Sequence, residues 1–309
     1  MNRTKRARLL ERSVVFLSFN TYAYVRRPKT DAGRTQLTST PVQSGYAPVN
    51  GLEMYYEIHG TQRRGPPLLL LHGGLTTIET SFAKALPVFA RSRCVVAVEQ
   101  QAHGRTADID QPLTFEQEAD DTAALLKHLE IDGADVFGYS DGGNVGLGLA
   151  IRHPKRVRKL VVAGTNTSND GLQPDILELM KALAGKNPAA AAADMPADLH
   201  DAYVKVAPRP QDWPILVSKV MRQGEGFAGW RPQQLRAIEA PVMVAVGDAD
   251  IVRAEHAVET CRLIPHCQLA VLPDTDHSSL VESDWLLSMV SVFLDAPLPR
   301  RSKEPPWPR

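Results

Sequence analysis

Cysteine is scarce in this chain of 309 residues, which contains only Cys94, Cys261 and Cys267. Their number is odd and their spacing matches no metal-binding motif, so no metal site is expected. We expect three free thiols in a reducing compartment. The alternative is a disulfide between Cys261 and Cys267, which would indicate an oxidising compartment.

An excess of charge of one sign is also missing, because 35 Lys and Arg balance 35 Asp and Glu. This balance argues against binding to nucleic acid or to an anionic membrane and favours a small substrate. No apolar run approaches the roughly 18 residues of a membrane span. The basic N-terminus precedes only a short apolar run, VVFLSF at 14–19, whereas a signal peptide has about 7–15 apolar residues. A cytoplasmic protein is therefore expected, with secretion as the alternative.

What the sequence does contain is an alternation of strand and helix patterns. Short apolar runs typical of strands buried on both faces of a parallel sheet alternate with helical segments. One such segment, 114–131, begins with a predicted capping box of Thr114 and Gln117. The alternation predicts an α/β fold with a doubly wound, mostly parallel sheet. The predicted strands cover residues 52–58, 68–72, 94–99, 134–138, 159–164, 241–247 and 267–273.

Three segments depart from this alternation. Residues 1–45 and 297–309 are polar, basic and Pro-containing, so we predict that both are disordered and that 46–296 form the domain. Residues 165–235 carry helical patterns and no strong strand signal. This length is too great for a plain loop, which favours a small helical cap over the site. The alternative is that this insertion is purely structural and does not contact the substrate.

A serine between glycines follows one predicted strand and precedes a predicted helix. The segment Gly138-Tyr139-Ser140-Asp141-Gly142 fits the pattern G-x-S-x-G, and its strand–turn–helix context is typical of a nucleophile elbow. Ser140 is therefore the candidate nucleophile. The small flanking residues let strand and helix approach each other around a strained turn.

A serine nucleophile needs a base and an orienting carboxylate, in the chain order Ser, acid, His for this kind of elbow. His277 follows the last predicted strand and is the candidate base. Asp250 is favoured as the acid, because it lies three residues beyond the strand-ending Gly247. Asp248 is the alternative and is otherwise expected to shape the turn.

Acyl transfer also needs hydrogen-bond donors for an oxyanion. The first buried strand ends in His72-Gly73-Gly74, and we expect the backbone N–H groups of Gly74 and Asp141 to form the oxyanion hole. A structural role in this loop is favoured for His72 over a catalytic one.

Together the segments HGG at 72–74, GYSDGG at 138–143 and GDAD at 247–250, followed by His277, resemble the α/β-hydrolase superfamily over about residues 46–296. The similarity is greatest to ester and lactone hydrolases with a short helical cap. The segment EQQAHGRT at 99–106 is similar to the D-x-R-G-x-G-x-S loop of that family, with Glu99 in place of Asp and Ala102 in place of Gly. The resemblance implies an α/β-hydrolase sheet and no metal or organic cofactor. Ser140 argues against the relatives that use an Asp nucleophile.

Hydrolysis of a small carboxylic ester or lactone is the function that this resemblance implies. A cofactor-free perhydrolase and a non-enzymatic small-molecule receptor on the same fold are the alternatives. GYSDGG is similar to valacyclovir-hydrolase-like enzymes, so Asp141 is a candidate partner for a substrate ammonium; complementing the helix N-terminus is the favoured alternative. Trp213, Phe227 and Trp230 are candidate pocket residues, with packing inside the cap as the alternative.

Overall fold

A mostly parallel sheet of eight strands runs through the centre of the protein. The strands are β1 (Gln43–Val49), β2 (Leu52–His59), β3 (Leu68–Leu71), β4 (Val95–Val98), β5 (Ala134–Tyr139), β6 (Val157–Ala163), β7 (Val242–Ala249) and β8 (Cys267–Asp276). In the computed structural model, which describes residues 40–60 and 65–298, they lie in the order β1-β2-β4-β3-β5-β6-β7-β8. β1 and β2 pair antiparallel, as do β2 and β4, and the other neighbours are parallel. The predicted α/β fold with a doubly wound, mostly parallel sheet is confirmed.

Helices cover both faces of the sheet, which explains the continuous apolar runs of the central strands. The helices are α1 (Ile78–Phe82), α2 (Ala85–Ala90), α3 (Phe115–His128), α4 (Asp141–Arg152), α5 (Pro174–Ala184), α6 (Pro188–Ala193), α7 (Ala197–Val206), α8 (Trp213–Gly226), α9 (Pro232–Arg236), α10 (Ala254–Leu263), α11 (His277–Leu280) and α12 (Asp284–Asp295). α3, α4 and α10 pack on one face, and α1, α2 and α12 pack on the other. Every residue of β3, β4 and β5 is buried as a result.

The N-terminus of α3 differs in one detail from the predicted capping box. The Thr114 hydroxyl accepts a hydrogen bond from the Gln117 N–H at 3.1 Å. The Gln117 side chain instead donates to Asp121 at 2.8 Å. Only half of the box forms, because a carboxylate one turn further along the helix is the better acceptor for that amide.

The segment between β6 and β7 contains the five helices α5 to α9 and no described strand. Its helices have an apolar core of their own, which includes Leu183, Tyr203, Trp213 and Leu216 and which also buries Leu75 from the loop after β3. The segment therefore packs over the carboxyl ends of the parallel strands, where the loop after β3 begins.

The ordered domain begins earlier than predicted. β1 starts at Gln43, which pairs with Ile58, so residues 43–45 are a correction to the predicted disordered segment. β1 and β2 form a hairpin through Asn50 and Gly51, whose φ values are 49° and 89°. An Asn-Gly pair is the usual sequence signal for such a turn. Residues 1–39 and 299–309 lie outside the described residues.

The expectation of three free thiols is wrong. Cys261, near the end of α10, is joined to Cys267, the first residue of β8, by a disulfide. The short turn between the two elements brings the Cα atoms within 5.4 Å, which is within the range that a disulfide spans. Within residues 40–60 and 65–298, no helix is both long and apolar enough to traverse a bilayer.

Candidate active site

Ser140 occupies a strained turn between β5 and α4. Its φ of 53° and ψ of −120° lie outside the regions that a non-glycine residue normally adopts. Backbone hydrogen bonds hold the turn, since the Ser140 N–H donates to the Ala163 carbonyl at 2.8 Å and the Ser140 carbonyl accepts from the Gly143 N–H at 2.9 Å. Strain of this kind costs about 1–3 kcal/mol and is characteristic of functional sites.

The glycines on either side of the serine are required by close backbone contacts. A Cβ at Gly138 would lie 2.2 Å from the Gly142 carbonyl oxygen, and a Cβ at Gly142 would lie 2.1 Å from the Leu71 carbonyl oxygen. These distances are far below van der Waals contact. The two glycines therefore let β5, α4 and β3 meet at the turn that exposes Ser140.

Three side chains from separate loops form a continuous hydrogen-bond chain. The Ser140 Oγ lies 3.0 Å from the His277 Nε2, and the His277 Nδ1 lies 2.7 Å from the Asp250 Oδ1. His277 begins α11 after β8, and the buried Asp250 follows β7. The carboxylate also accepts a hydrogen bond from the Val252 N–H at 3.1 Å. It is thus oriented to hold the imidazole with Nδ1 protonated and Nε2 facing the serine.

Asp248, the alternative acid, lies apart from this chain. It is exposed, and its Oδ1 accepts a hydrogen bond from the Thr275 N–H at 3.2 Å. Hydrogen bonds from the backbone N–H groups of Thr275 and Asp274 lower its pKa. Asp248 thus ties the end of β7 to β8, whereas Asp250 reaches His277.

Two further residues support His277 and were not singled out from the sequence. The hydroxyl of Tyr139 donates to the backbone carbonyl of His277 at 2.9 Å, and the two rings lie 5.1 Å apart. Gly164 has a φ of +61°, and a Cβ there would lie 3.0 Å from the imidazole and 3.3 Å from the Asp250 Oδ2. Both positions depend on tertiary contacts between elements far apart in the sequence.

The loop after β3 is held by two buried histidines. The Nδ1–H of His72 donates to the Gly73 carbonyl at 2.8 Å, while its Nε2 accepts from the Gln100 N–H at 3.0 Å. The Nε2 of His103 accepts from the Leu75 N–H at 3.2 Å. Burial lowers the pKa of His72 to about 4 and that of His103 to about 3, so both are neutral at pH 7. The structural role expected for His72 agrees with these contacts, and His103 is an addition to it.

The two amides expected to bind an oxyanion border the cavity above Ser140. Among the described residues, neither the Gly74 nor the Asp141 N–H has a hydrogen-bond acceptor. The next amide along the loop, that of Leu75, is occupied by His103. The backbone N–H groups of Gly74 and Asp141 are therefore free to donate hydrogen bonds to a negatively charged oxygen above Ser140.

The carboxylate of Asp141 lies beside Gly74, where a Cβ would be 2.2 Å from the Asp141 Oδ2. It lines the cavity, and the described residues offer it no hydrogen-bond donor. Burial raises its pKa to about 6. Nearby, Glu118 is buried with a pKa raised by burial to about 8 and accepts a hydrogen bond from Gln223 of α8 at 2.6 Å. Asp141 is thus a carboxyl group at the cavity wall without a hydrogen-bond donor. The neighbouring Glu118 is protonated at pH 7, because its pKa is raised to about 8.

The cavity between the sheet and the segment α5 to α9 has a volume of about 320 Å³, near the lower end of the range of about 300–1,000 Å³ for ligand pockets. Of the three predicted aromatic residues, the structure brings only Phe227 to its wall. Trp213 packs against Tyr203 inside the cap, and Trp230 is buried with its Nε1–H donating to Asn144 at 3.0 Å. Trp213 belongs to the apolar core of the segment α5 to α9, whereas Trp230 is part of the apolar core between the sheet and the helices α3 and α4.

Charge in the cavity wall is of one sign. Besides Ser140 and His277, the lining includes the carboxylates of Asp141 and Asp276, and no Lys or Arg from the described part of the chain. Asp276 also accepts a hydrogen bond from the Ser279 N–H at 2.7 Å, at the start of α11. The same part of the chain holds no cluster of His, Cys, Asp and Glu suited to a metal ion.

Residues 68–288 match the model of the alpha/beta hydrolase family. The chain belongs to this family. The resemblance drawn from the sequence motifs is thereby confirmed, as is the hydrolase fold.

Relatives in this family carry several chemistries. The chain is 27% identical to the mouse (Mus musculus) serine hydrolase BPHL, over 77% of this chain and 81% of the relative. It is 25% identical to a 2-hydroxy-6-oxo-6-(2'-aminophenyl)hexa-2,4-dienoic acid hydrolase of Metapseudomonas resinovorans, over 71% and 80%. The fold is similar to that of an enol-lactonase from Burkholderia xenovorans LB400, with a TM-score of 0.63, 22% identity, and coverage of 81% of this chain and 100% of that one.

Proposed function

We propose that this protein hydrolyses a carboxylic ester or lactone of a small molecule through an acyl-enzyme on Ser140. The observation that carries the proposal is the hydrogen-bond chain from Ser140 through His277 to Asp250, with distances of 3.0 Å and 2.7 Å. A serine hydroxyl becomes an effective nucleophile when a base of this kind accepts its proton.

In the first half-reaction, the Ser140 Oγ attacks the carbonyl carbon as its proton passes to the His277 Nε2. The amides of Gly74 and Asp141 stabilise the negative oxygen of the tetrahedral intermediate. The intermediate collapses, and His277 gives its proton to the departing alcohol. In the second half-reaction, His277 takes a proton from water, which attacks the acyl-enzyme. His277 then returns this proton to the Ser140 Oγ as the acid is released. Asp250 keeps the imidazole oriented throughout.

The charge of the residues that line the cavity limits the classes of substrate that can bind. An anionic substrate would meet Asp141 and Asp276 without a Lys or Arg from the described residues to balance it. An anion would be repelled strongly by the partly buried Asp141 and more weakly by the exposed Asp276, whose charge water and salt screen. A neutral or cationic ester is therefore favoured over the dienoic acid on which the Metapseudomonas relative acts.

A second candidate substrate class is an ester that carries an amino group. The unpaired Asp141 carboxylate at the wall favours it, because an ammonium would supply the missing partner. Complementing the helix N-terminus is the role favoured from the sequence. Asp141 lies in the first turn of α4, and a carboxylate there complements the helix N-terminus whether or not it also pairs with a substrate ammonium.

The first experiment is the intact mass of the protein after treatment with a fluorophosphonate, with turnover of p-nitrophenyl acetate and butyrate measured in parallel. We expect one adduct on the wild type, none on Ser140→Ala, and turnover by the wild type alone. Asp250→Asn and Asp248→Asn form a matched pair, of which only the first should lose turnover. An adduct without turnover would refute hydrolysis and favour the receptor alternative. Competition between water and peroxide for the acyl-enzyme distinguishes the perhydrolase alternative.

Amino-ester selectivity is tested by comparing an alanine ester with the matching propionate ester as a function of pH. Because both substrates share His277, and because an α-amino group stays protonated below about pH 7, their ratio of kcat/KM isolates Asp141 in that range. The ratio should rise as pH passes through about 6, where the Asp141 carboxyl ionises, and Asp141→Asn should make it flat. Equal losses on the two esters would refute the role in substrate selection.

A further inference from the structure

The cavity above Ser140 has a polar end and an apolar end. Ser140, Asp141, Asp276 and His277 supply charged and polar groups around the serine, and most of the remaining wall is hydrocarbon and thioether. The amides of Asn166 and Asn169 are polar exceptions, and Asn169 donates a hydrogen bond to the Gly224 carbonyl at 2.9 Å. The two cap helices α5 and α8 contribute six residues to this apolar wall: Ile176, Leu179, Met180, Leu183, Val220 and Met221. An apolar wall of this kind gains by excluding water with an apolar group of the ligand.

One contact between α5 and α8 determines how far this apolar end extends. Gly224 lies inside α8, where glycine costs about 1 kcal/mol relative to alanine. A Cβ at Gly224 would be 2.2 Å from the Cε of Met180, whereas ordinary contacts are 3.4–4 Å. The Met180 methyl group therefore occupies the space that any other residue at position 224 would fill.

Met180 and Gly224 both line the cavity. Methionine has three rotatable bonds, so its methyl group yields when it is pushed. A side chain at position 224 would displace that methyl group from α8 toward the open volume and shorten the cavity. Removal of the methionine side chain would lengthen it.

We propose that the apolar end binds an unbranched hydrocarbon chain of the ester, and that Met180 seated on Gly224 sets the longest chain accepted. The proposal rests on the proposed ester hydrolysis. The hydrocarbon belongs either to the acyl half or to the alcohol half of the substrate, and the two substrate sets below distinguish these sources.

The test measures kcat/KM for p-nitrophenyl esters of straight-chain acids and for n-alkyl acetates, from short to long chains. The set whose chain enters the cavity should gain about fourfold per methylene group until the cavity is full, and the other set should stay flat. Gly224→Ala should move the maximum to shorter chains and Met180→Ala to longer ones. The double variant should return toward the wild-type maximum.

Gly226→Ala is the matched control, because a Cβ there meets nothing within 4 Å and it lies two residues along the same helix. Its chain-length profile should match that of the wild type. Identical profiles for the wild type, Gly224→Ala and Met180→Ala would overturn the proposal.

Calorimetric binding of straight-chain 2-alkanones to Ser140→Ala separates this proposal from the hydrolysis on which it rests. Length-dependent binding that shifts when Gly224→Ala or Met180→Ala is added supports the cavity assignment, even if the wild type hydrolyses neither set of esters. Binding that is independent of chain length overturns the assignment, whatever the turnover.

Discussion

Replacing Asp141 by Asn should stabilise the protein at neutral pH, although Asp141 lies beside the candidate nucleophile. Burial raises the pKa of this carboxyl from 3.8 to about 6 in the folded protein. Between these two values the unfolded chain releases a proton that the folded chain retains. Folding stability therefore falls as pH rises from about 4 to about 6, and the loss is complete and constant above that range. Asn carries no such penalty.

The magnitude follows from the pKa difference. A shift of about two units corresponds to about 3 kcal/mol at 1.36 kcal/mol per unit. Asp141 is only partly covered, since it borders the cavity, and water there reduces the penalty. We therefore expect Asp141→Asn to raise the free energy of unfolding by about 1–3 kcal/mol above pH 7. The difference from the wild type should vanish near pH 4.

The assay is urea unfolding of wild type and Asp141→Asn at a series of pH values from 4 to 8. Asp248→Asn is a control of opposite sign, because backbone N–H groups lower the pKa of Asp248 and its loss should destabilise the protein at neutral pH. If Asp141→Asn were destabilising at pH 7, or its effect did not change with pH, the carboxylate would have a partner and the reasoning would be refuted. A stabilising variant that loses amino-ester selectivity would show that the residue serves the substrate rather than the fold.

Three other variants test the support of the site. Gly164→Ala should lower kcat by about a hundredfold with little change in KM, because the alanine Cβ would lie 3.0 Å from the His277 ring and displace it. Steady-state kinetics tests this, and an unchanged kcat would contradict it. Tyr139→Phe removes a 2.9 Å hydrogen bond to the His277 carbonyl and should lower kcat about fivefold while the affinity for 2-alkanones is kept; an equal loss of both would indicate general damage. Replacing Cys261 and Cys267 together by Ser should lower the free energy of unfolding by about 2 kcal/mol, as expected for a sequence separation of 6. Dithiothreitol should have the same effect on the wild type and none on the double variant.

Features with a local pattern could be predicted from the sequence. Seven of the eight strands were recognised. For β3 to β7 the reason is that burial on both faces leaves a nearly uninterrupted apolar run. The strand that was missed, β1, carries polar and exposed residues. The segment around Ser140 was recognisable because its glycines lie within a few residues of one another. The order of Asp250 and His277 followed from the strand ends at which parallel sheets gather side chains.

Features that depend on contacts between distant segments could not be predicted. The hydrogen bond from Tyr139 to His277 joins residues 138 positions apart. His103 was read only as part of a loop, and nothing in the sequence shows that it accepts from Leu75. The pocket assignment of Trp213 and Trp230 rested on residue type alone. Trp213 packs inside the segment α5 to α9, and Trp230, which lies between α8 and α9, packs into the core on the sheet. Only the tertiary arrangement distinguishes these positions from a cavity wall.

Ala102 has a left-handed backbone conformation at a position where the family motif has Gly, and comparison of motifs alone does not explain how it is tolerated. The family loop has Gly at this position, and Ala102 has a φ of 65°. Its side chain is buried with the apolar residues of the cap. The burial of a methyl group offsets part of the strain that glycine would avoid. A substitution that looks unfavourable in the motif is thus accommodated by a contact with the segment inserted some sixty residues later.

Selectivity in this hydrolase must arise away from its candidate triad. A chain of Ser, His and Asp supports many acyl substrates equally, so the walls of the cavity decide among them. Here two carboxylates line the polar part of the wall, and Met180 packed on Gly224 lines the apolar part, where we propose that it limits the chain length. Both features select by exclusion. The two carboxylates disfavour anionic substrates, and Met180 on Gly224 disfavours hydrocarbon chains longer than the cavity accepts. The two can be altered independently because Asp141 belongs to α4 of the core, whereas Met180 and Gly224 belong to the cap.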